Sequence, residues 1–138
     1  MSGVVRLSFS IEEPLLERLE GLVASSGYEN RSEFIRDLIR DRLVEQEWKR
    51  NEEAVGTVTM VYNHHTRGVT EKLTHVQHDF HSVILASTHV HLDHELCAET
   101  VVVKGRAVQI KKLADRLRQQ RGVLHASLSL SSTGKNLD

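Results

Sequence analysis

The chain has 138 residues, 39% hydrophobic and 4% aromatic, with a net charge of −1. That allows one domain or two small ones with a lean core, and small domains of this kind commonly rely on oligomerisation to bury enough surface. No global basic field advertises nucleic acid, so any such role must rest on a local motif. One cysteine excludes an intramolecular disulfide. With no run near the ~18 apolar residues of a membrane span and no signal-peptide core, the expectation is a soluble cytoplasmic protein.

Residues 4–11 alternate: Val5, Leu7, Phe9 and Ile11 against Arg6, Ser8 and Ser10. Period 2 predicts a half-buried strand. It has no partner nearby in sequence, which makes a second copy of the chain the economical mate. Glu12-Glu13-Pro14 opens a helix, since acids and proline suit a first turn. Ser10 and Glu13 have capping-box spacing, and Glu12 equally marks the boundary. Leu15, Leu16, Leu19, Leu22 and Val23 form its stripe, and Ser25-Ser26-Gly27 ends it. Asn30-Arg31-Ser32-Glu33 starts a second helix to about Trp48, with Asn30 as cap. Residues 49–53 make a polar linker, so the predicted domains are 1–50 and 51–138.

The second half predicts strand 56–62, helix 69–77, strand 83–92, turn 93–95, strand 96–104, helix 107–121 and strand 123–130. The order β-α-β-β-α-β is the split pattern of a ferredoxin-like domain, which makes the fold class α+β. The apolar run Val83 to Ala86 reads as a buried strand carrying donor atoms at one end.

Five of the nine histidines and the only cysteine lie between His78 and Cys97. Alternate residues of a strand face one way and rise ~3.3 Å each, so His89 and His91 point to one side about 7 Å apart. Cys97 lies just past the turn, and a hairpin brings it beside His91. Three donors converge without any long-range assumption. A fourth must come from elsewhere, with His78 and His81 as candidates. A set of three imidazole nitrogens and one thiolate suits tetrahedral zinc or square-planar nickel(II) or copper(II), and spacing does not choose among them. His64, His65, His75, His94 and His125 are read as ordinary surface or hydrogen-bonded histidines, with secondary-site potential at His64, His75 and His81.

One strand and two helices in about 50 residues resemble the ribbon-helix-helix family, whose paired strands enter a major groove. In that resemblance Arg6, Ser8 and Ser10 face the base edges, while Arg31 and Ser32 begin a helix whose free amides suit a phosphate. Residues 1–50 carry eight Lys/Arg against ten Asp/Glu. Affinity would therefore come from few, well-placed cations and show a shallow salt slope.

The two parts together resemble the nickel-responsive repressor family, NikR, over roughly residues 4–130. The matching text is Gly27-Tyr28, Asn30-Arg31-Ser32-Glu33, Ile35-Arg36-Asp37, Gln77-His78, His89-Val90-His91, Cys97, Lys104-Gly105 and Gln120-Arg121-Gly122-Val123. The resemblance implies a ferredoxin-like (ACT-type) metal domain that forms the core of a homotetramer, a dimer of dimers. It implies one square-planar Ni(II) per subunit, held by His89, His91 and Cys97 with His78 of a neighbouring subunit. The loaded form would bind a palindromic double-stranded operator and repress nickel-uptake genes. Glu33 and Asp37 match carboxylates that hold a secondary K+-type cation. The chain departs from some members at three points. The histidine run after Gln77 is interrupted as His78-Asp79-Phe80-His81, serines stand at positions 8 and 10 where some members have threonines, and Thr66 replaces a lysine, leaving Arg67 for phosphate contact. The alternatives are a ribbon-helix-helix regulator of another divalent metal, a zinc metalloenzyme with an open coordination position, and an antitoxin-type or amino-acid-sensing relative.

Overall fold

In the computed structural model, which describes residues 3–138, helices α1 (Glu13–Ser25) and α2 (Arg31–Lys49) precede a βαββαβ unit. That unit consists of β1 (Glu53–Asn63), α3 (Val69–Asp79), β2 (Ile84–His91), β3 (Leu96–Arg106), α4 (Ala107–Gln119) and β4 (Val123–Leu130). The chain divides into two compact units between Arg40 and Asp41, within α2.

In the first unit, residues 4–11 form no hydrogen-bonded strand within the chain. Val5, Leu7 and Phe9 are 85%, 88% and 61% exposed. A lone extended segment leaves its backbone donors and acceptors to water and becomes a strand only when another strand pairs with it. Of the two boundaries read from the sequence, Glu12 is the one used, and no Ser10–Glu13 capping box forms. Glu12 is the N-cap of α1, without a side-chain cap bond, and proline occupies the first turn. Gly27 leaves α1 at φ +76, a backbone region that costs glycine little. The Asn30 cap is present, its Oδ1 accepting from the Glu33 amide at 3.0 Å. Val23 and Phe34 are buried, and Tyr28 meets the Phe34 ring edge-on.

The second unit is a four-stranded antiparallel sheet in the order β2-β3-β1-β4, the ferredoxin-like arrangement. Alternate residues of β1 (Ala54, Val58, Met60, Tyr62) and β3 (Cys97, Glu99, Val101, Val103) are buried on one face. Over them lie Val69, Leu73 and Val76 of α3 and Ile110, Leu113 and Leu117 of α4, spaced as a helix needs to present one stripe. Trp48 closes the cluster, and its Nε1 donates to the Ser131 carbonyl at 2.8 Å. Helix α4 follows β3 with no loop between them. Its first amides find partners elsewhere: Ala107 N donates to Glu52 O and Val108 N to Asn51 Oδ1. After α4 the chain reverses at Gly122, φ +102, where a Cβ would meet the Thr66 side chain at 2.9 Å.

One expectation is corrected. The run from Val83 to Ala86 is not a buried strand: only Val83 is buried, and β2 lies at the sheet edge with Leu85 61% and Val90 50% exposed. An edge strand has one hydrogen-bonded neighbour, and among the described residues no strand pairs with its outer side.

Leu113 is fully buried among β-sheet and helix side chains. Leu113→Ala is expected to cost about 2–5 kcal/mol, read as a lower urea midpoint at unchanged slope.

Candidate metal centre and nucleic-acid interface

The site is built by register. Antiparallel pairing of β2 with β3 sets His91 opposite Cys97 and His89 opposite Glu99. Pairing of β1 with β3 sets Tyr62 opposite Cys97. Opposed residues share a face, so two histidines, a cysteine, a carboxylate and a phenol gather at one end of the sheet. The turn between the strands is held by Asp93, whose Oδ1 accepts from the Glu95 and Leu96 amides at 2.8 and 2.7 Å. Those two bonds also hold the Asp93 carboxyl below the usual range, the Leu96 bond foremost.

Cys97 Sγ lies 3.4 Å from His91 Nδ1 and is fully buried. Burial pushes the Cys97 thiol up, with Asp93 and Glu99 adding to it. His89 is turned toward a different partner. Its Nδ1 is 3.2 Å from the Tyr62 hydroxyl, which donates to Glu99 Oε1 at 3.1 Å. The hydroxyl has one proton; once that goes to the carboxylate, its oxygen accepts from His89 Nδ1–H. The lone pair of His89 then resides on Nε2, the nitrogen free for a metal. Burial and Glu99 together raise the Tyr62 pKa far above the phenol range, so it stays a donor.

Glu99 is the hub. Its Oε2 also accepts from Gln77 Nε2 at 2.6 Å and Ser87 Oγ at 3.0 Å. A buried carboxylate is costly unless donors surround it, and here three side chains supply them. Gln77 ties α3 to the sheet one residue before His78. His78 itself is exposed on α3, stacked on His81 at 5.9 Å between ring centroids, and neither joins the His91–Cys97 pair.

The donor atoms that lie within 4.8 Å of one another are those of His64, His91 and Cys97. Thus the structure joins His91 and Cys97 as the sequence suggested, groups them with His64, and holds His89 beside them, its ring centroid 5.0 Å from that of His91. This donor chemistry, two imidazoles and a thiol with a third imidazole adjacent, fits a borderline transition metal. Sequence reasoning passed over Tyr62 and Glu99 and gave His64 only secondary-site potential. The pattern Cys97-x-Glu99 opposite His89-x-His91 was a usable signal for Glu99. For Tyr62 and His64 there was none, because their proximity depends on β1 lying beside β3.

In the first unit, Arg6, Ser8 and Ser10 are all exposed. Arg31 pairs with Glu20, and Ser32 stands exposed in the first turn of α2. Glu33 and Asp37 are one turn apart on α2. Asp37 accepts the Tyr28 hydroxyl and has Arg40 at 3.7 Å. An apolar groove of about 270 Å³ lies between Phe9, Leu15, Leu19, Leu22, Phe34 and Leu38. Among the described residues no helix is long and apolar enough to cross a membrane.

Comparison with known proteins agrees with both halves. Residues 55–131 match the model of the NikR C terminal nickel binding domain, and residues 5–46 match the ribbon-helix-helix protein, copG family. Proteins named "Putative nickel-responsive regulator" are similar over essentially their whole length. Those from Solibacter usitatus and Geobacter sulfurreducens are each 49% identical, covering 99% of both chains. The one from Pyrococcus furiosus is 48% identical, covering 98% of this chain and 99% of its own. An uncharacterized protein of Thermotoga maritima shares the fold, with TM-score 0.52 at 20% identity over 57% of this chain and 98% of its own. Relatives named as regulators, joined to a DNA-binding domain model, set the metalloenzyme alternative aside. The chain belongs to the nickel-responsive regulator family, with an N-terminal ribbon-helix-helix domain and a C-terminal nickel-binding domain.

Proposed function

We propose that the protein is a nickel-dependent transcriptional repressor that controls nickel-uptake genes from a palindromic operator. The observation that carries this is the hairpin register, which sets His91 against Cys97 and keeps His89 on the same face. In this reading one Ni(II) per subunit is bound in a plane by His89, His91 and Cys97, with His78 supplied by a neighbouring subunit of a homotetramer. An unpaired cysteine as ligand suits the reducing cytoplasm.

The first unit supplies the DNA contact. Exposed Val5, Leu7 and Phe9, with the apolar groove behind Phe9, call for a second copy whose strand pairs with residues 4–11. Such a ribbon turns Arg6, Ser8 and Ser10 outward to base edges, and the start of α2 at Arg31 and Ser32 meets the phosphates. Glu33 and Asp37 are the proposed K+ ligands. Domain limits of 1–50 and 51–138 go with this division of labour.

Nickel controls DNA affinity only if it binds the DNA-competent arrangement better than the others. A ligand given across an interface meets that condition, because the His78 bond exists only when the second domains are packed together. Gln77, bonded to Glu99, couples the helix bearing His78 to the strand carrying Cys97. A bound metal would supply a common centre for the donors of His89, His91, Cys97 and the neighbour's His78; the rest is the chain's own geometry.

Three outcomes are expected. His89→Ala abolishes nickel-dependent operator retardation, and retention of it would sink the reading. Arg6→Ala weakens discrimination against mutated operators by about 1–3 kcal/mol while leaving nickel binding alone. Loading displaces the Cys97 proton, and burial holds that thiol protonated at neutral pH. Above the histidine range, nickel affinity should therefore rise with pH, up to about tenfold per unit, until the thiol itself ionises. Competition titration against a chelator at two pH values checks the sign.

A further inference from the structure

His78 stands exposed in the last turn of α3, which ends at Asp79. A helix end is prone to fray, because its last carbonyls lack partners within the helix. Here they find near ones: Phe80 N donates to Gln77 O at 3.1 Å, and His81 N to His78 O at 3.2 Å. The residues on either side of His78 are tied to other elements. Before it, Gln77 Nε2 donates to Glu99 Oε2 at 2.6 Å. After it, Arg116 of α4 donates from Nη2 to Asp79 Oδ2 at 3.1 Å. The guanidinium carbon of Arg116 also lies 5.4 Å from the centre of the Phe80 ring, and Phe80 packs against the core.

Arg116 is well rooted for this task. Leu113 and Leu117 of the same helix are fully buried, and the Arg116 carbonyl accepts from Gln120 Nε2 at 2.9 Å. Asp79 has another neighbour, His75, whose Nε2 is 3.7 Å from the same Oδ2. That contact runs within α3 and ties the helix only to itself, whereas Arg116 reaches Asp79 from another element. Asp79 and Phe80 are also the two residues that interrupt the histidine run between His78 and His81.

We infer that Arg116 is a positioning residue for nickel binding: by holding Asp79 and Phe80 it keeps the last turn of α3 wound before metal arrives, so that His78 is offered to a neighbouring subunit already in place. This rests on the proposed reading in which His78 is a ligand given across an interface. A fully exposed ion pair contributes little. This one is partly buried, with side chains 42% and 37% exposed, and the contact of guanidinium with ring reinforces it. It also acts where a small bias matters. The apparent affinity of a site falls in proportion to the fraction of molecules in the binding-competent form, so fraying of the last turn is felt directly. Arg116 acts on the helix end, so its loss should change how tightly nickel is held and not which atoms hold it.

The test uses the full-length protein and nickel(II), with affinity read by chelator competition and the donor set read from the Cys97-dependent charge-transfer band. Arg116→Gln should weaken nickel binding about three- to tenfold and leave the band of the saturated protein unchanged. Arg116→Lys keeps the charge but not the planar contact with Phe80, and should recover part of the loss. Asp79→Ala should also weaken binding, and the double variant should lose less than the product of the two single losses, because both remove one shared contact. In the metal-free protein, amide hydrogen exchange of residues 77–80 should speed up in Arg116→Gln, while the amides of β1 and β3 and the thermal midpoint match the parent protein. Parent-like nickel affinity or parent-like exchange at residues 77–80 overturns the inference. So do fully multiplicative losses, and so does a loss accompanied by a lowered midpoint, which marks a general structural effect. Failure of the nickel reading looks different: the unsubstituted protein would give no Cys97-dependent nickel band, and the exchange rates would still decide whether Arg116 holds the end of α3.

Discussion

The pairing of β2 with β3 is the constraint on which the metal centre depends. One residue of slippage would turn His89 and His91 to the opposite face and leave Cys97 without a partner, because side chains alternate with a period of two. The chain guards against this at the turn, where the Asp93 carboxylate holds two consecutive amides, and along the strands, where Ser87 reaches Glu99. The same register serves the core, since Cys97, Glu99, Val101 and Val103 share the buried face. Slippage would cost hydrophobic burial as well as the site, so folding stability enforces donor geometry.

Orientation of the donors is a separate matter from their proximity. Imidazoles that are not fully buried are mobile unless something fixes the ring and the tautomer. Two acceptors do this. The Glu99 carboxylate acts on His89 through Tyr62, and the His94 carbonyl acts on His64. Glu99 is buried, and Tyr62, Gln77 and Ser87 all donate to it. Its bond to Gln77 is a polar link between the sheet and the helix that carries His78, added to the apolar packing of that helix.

What the chain leaves exposed is as informative as what it buries. Val5, Leu7 and Phe9 of the first unit, and Leu85 and Val90 of the edge strand β2, stand exposed among the described residues. In the proposed assembly these are the surfaces that other subunits take up, the first making the DNA-reading ribbon and the second belonging to the metal-domain core. A sensor that must feel its neighbours has reason to be incomplete alone. The lean aromatic content and the division of the chain into two small compact units agree with that logic.

Much of the fold was legible in the amino-acid order. Helical stripes, the Asn30 cap, Gly27 and Gly122 as stops, and the βαββαβ succession are local patterns, and each reappears in the structure within a few residues. The meeting of His91 with Cys97 was legible for the same reason, a hairpin being a local object, whereas His89 turned instead to Tyr62. The burial of β2 was misjudged, because an apolar run does not say whether its strand is central or at an edge. Tyr62, Glu99 and His64 became part of the site only through the order β2-β3-β1-β4. Periodicity along the chain records which way a side chain points; only the closing of the sheet, a balance of long-range burial against chain entropy, decides what it points at.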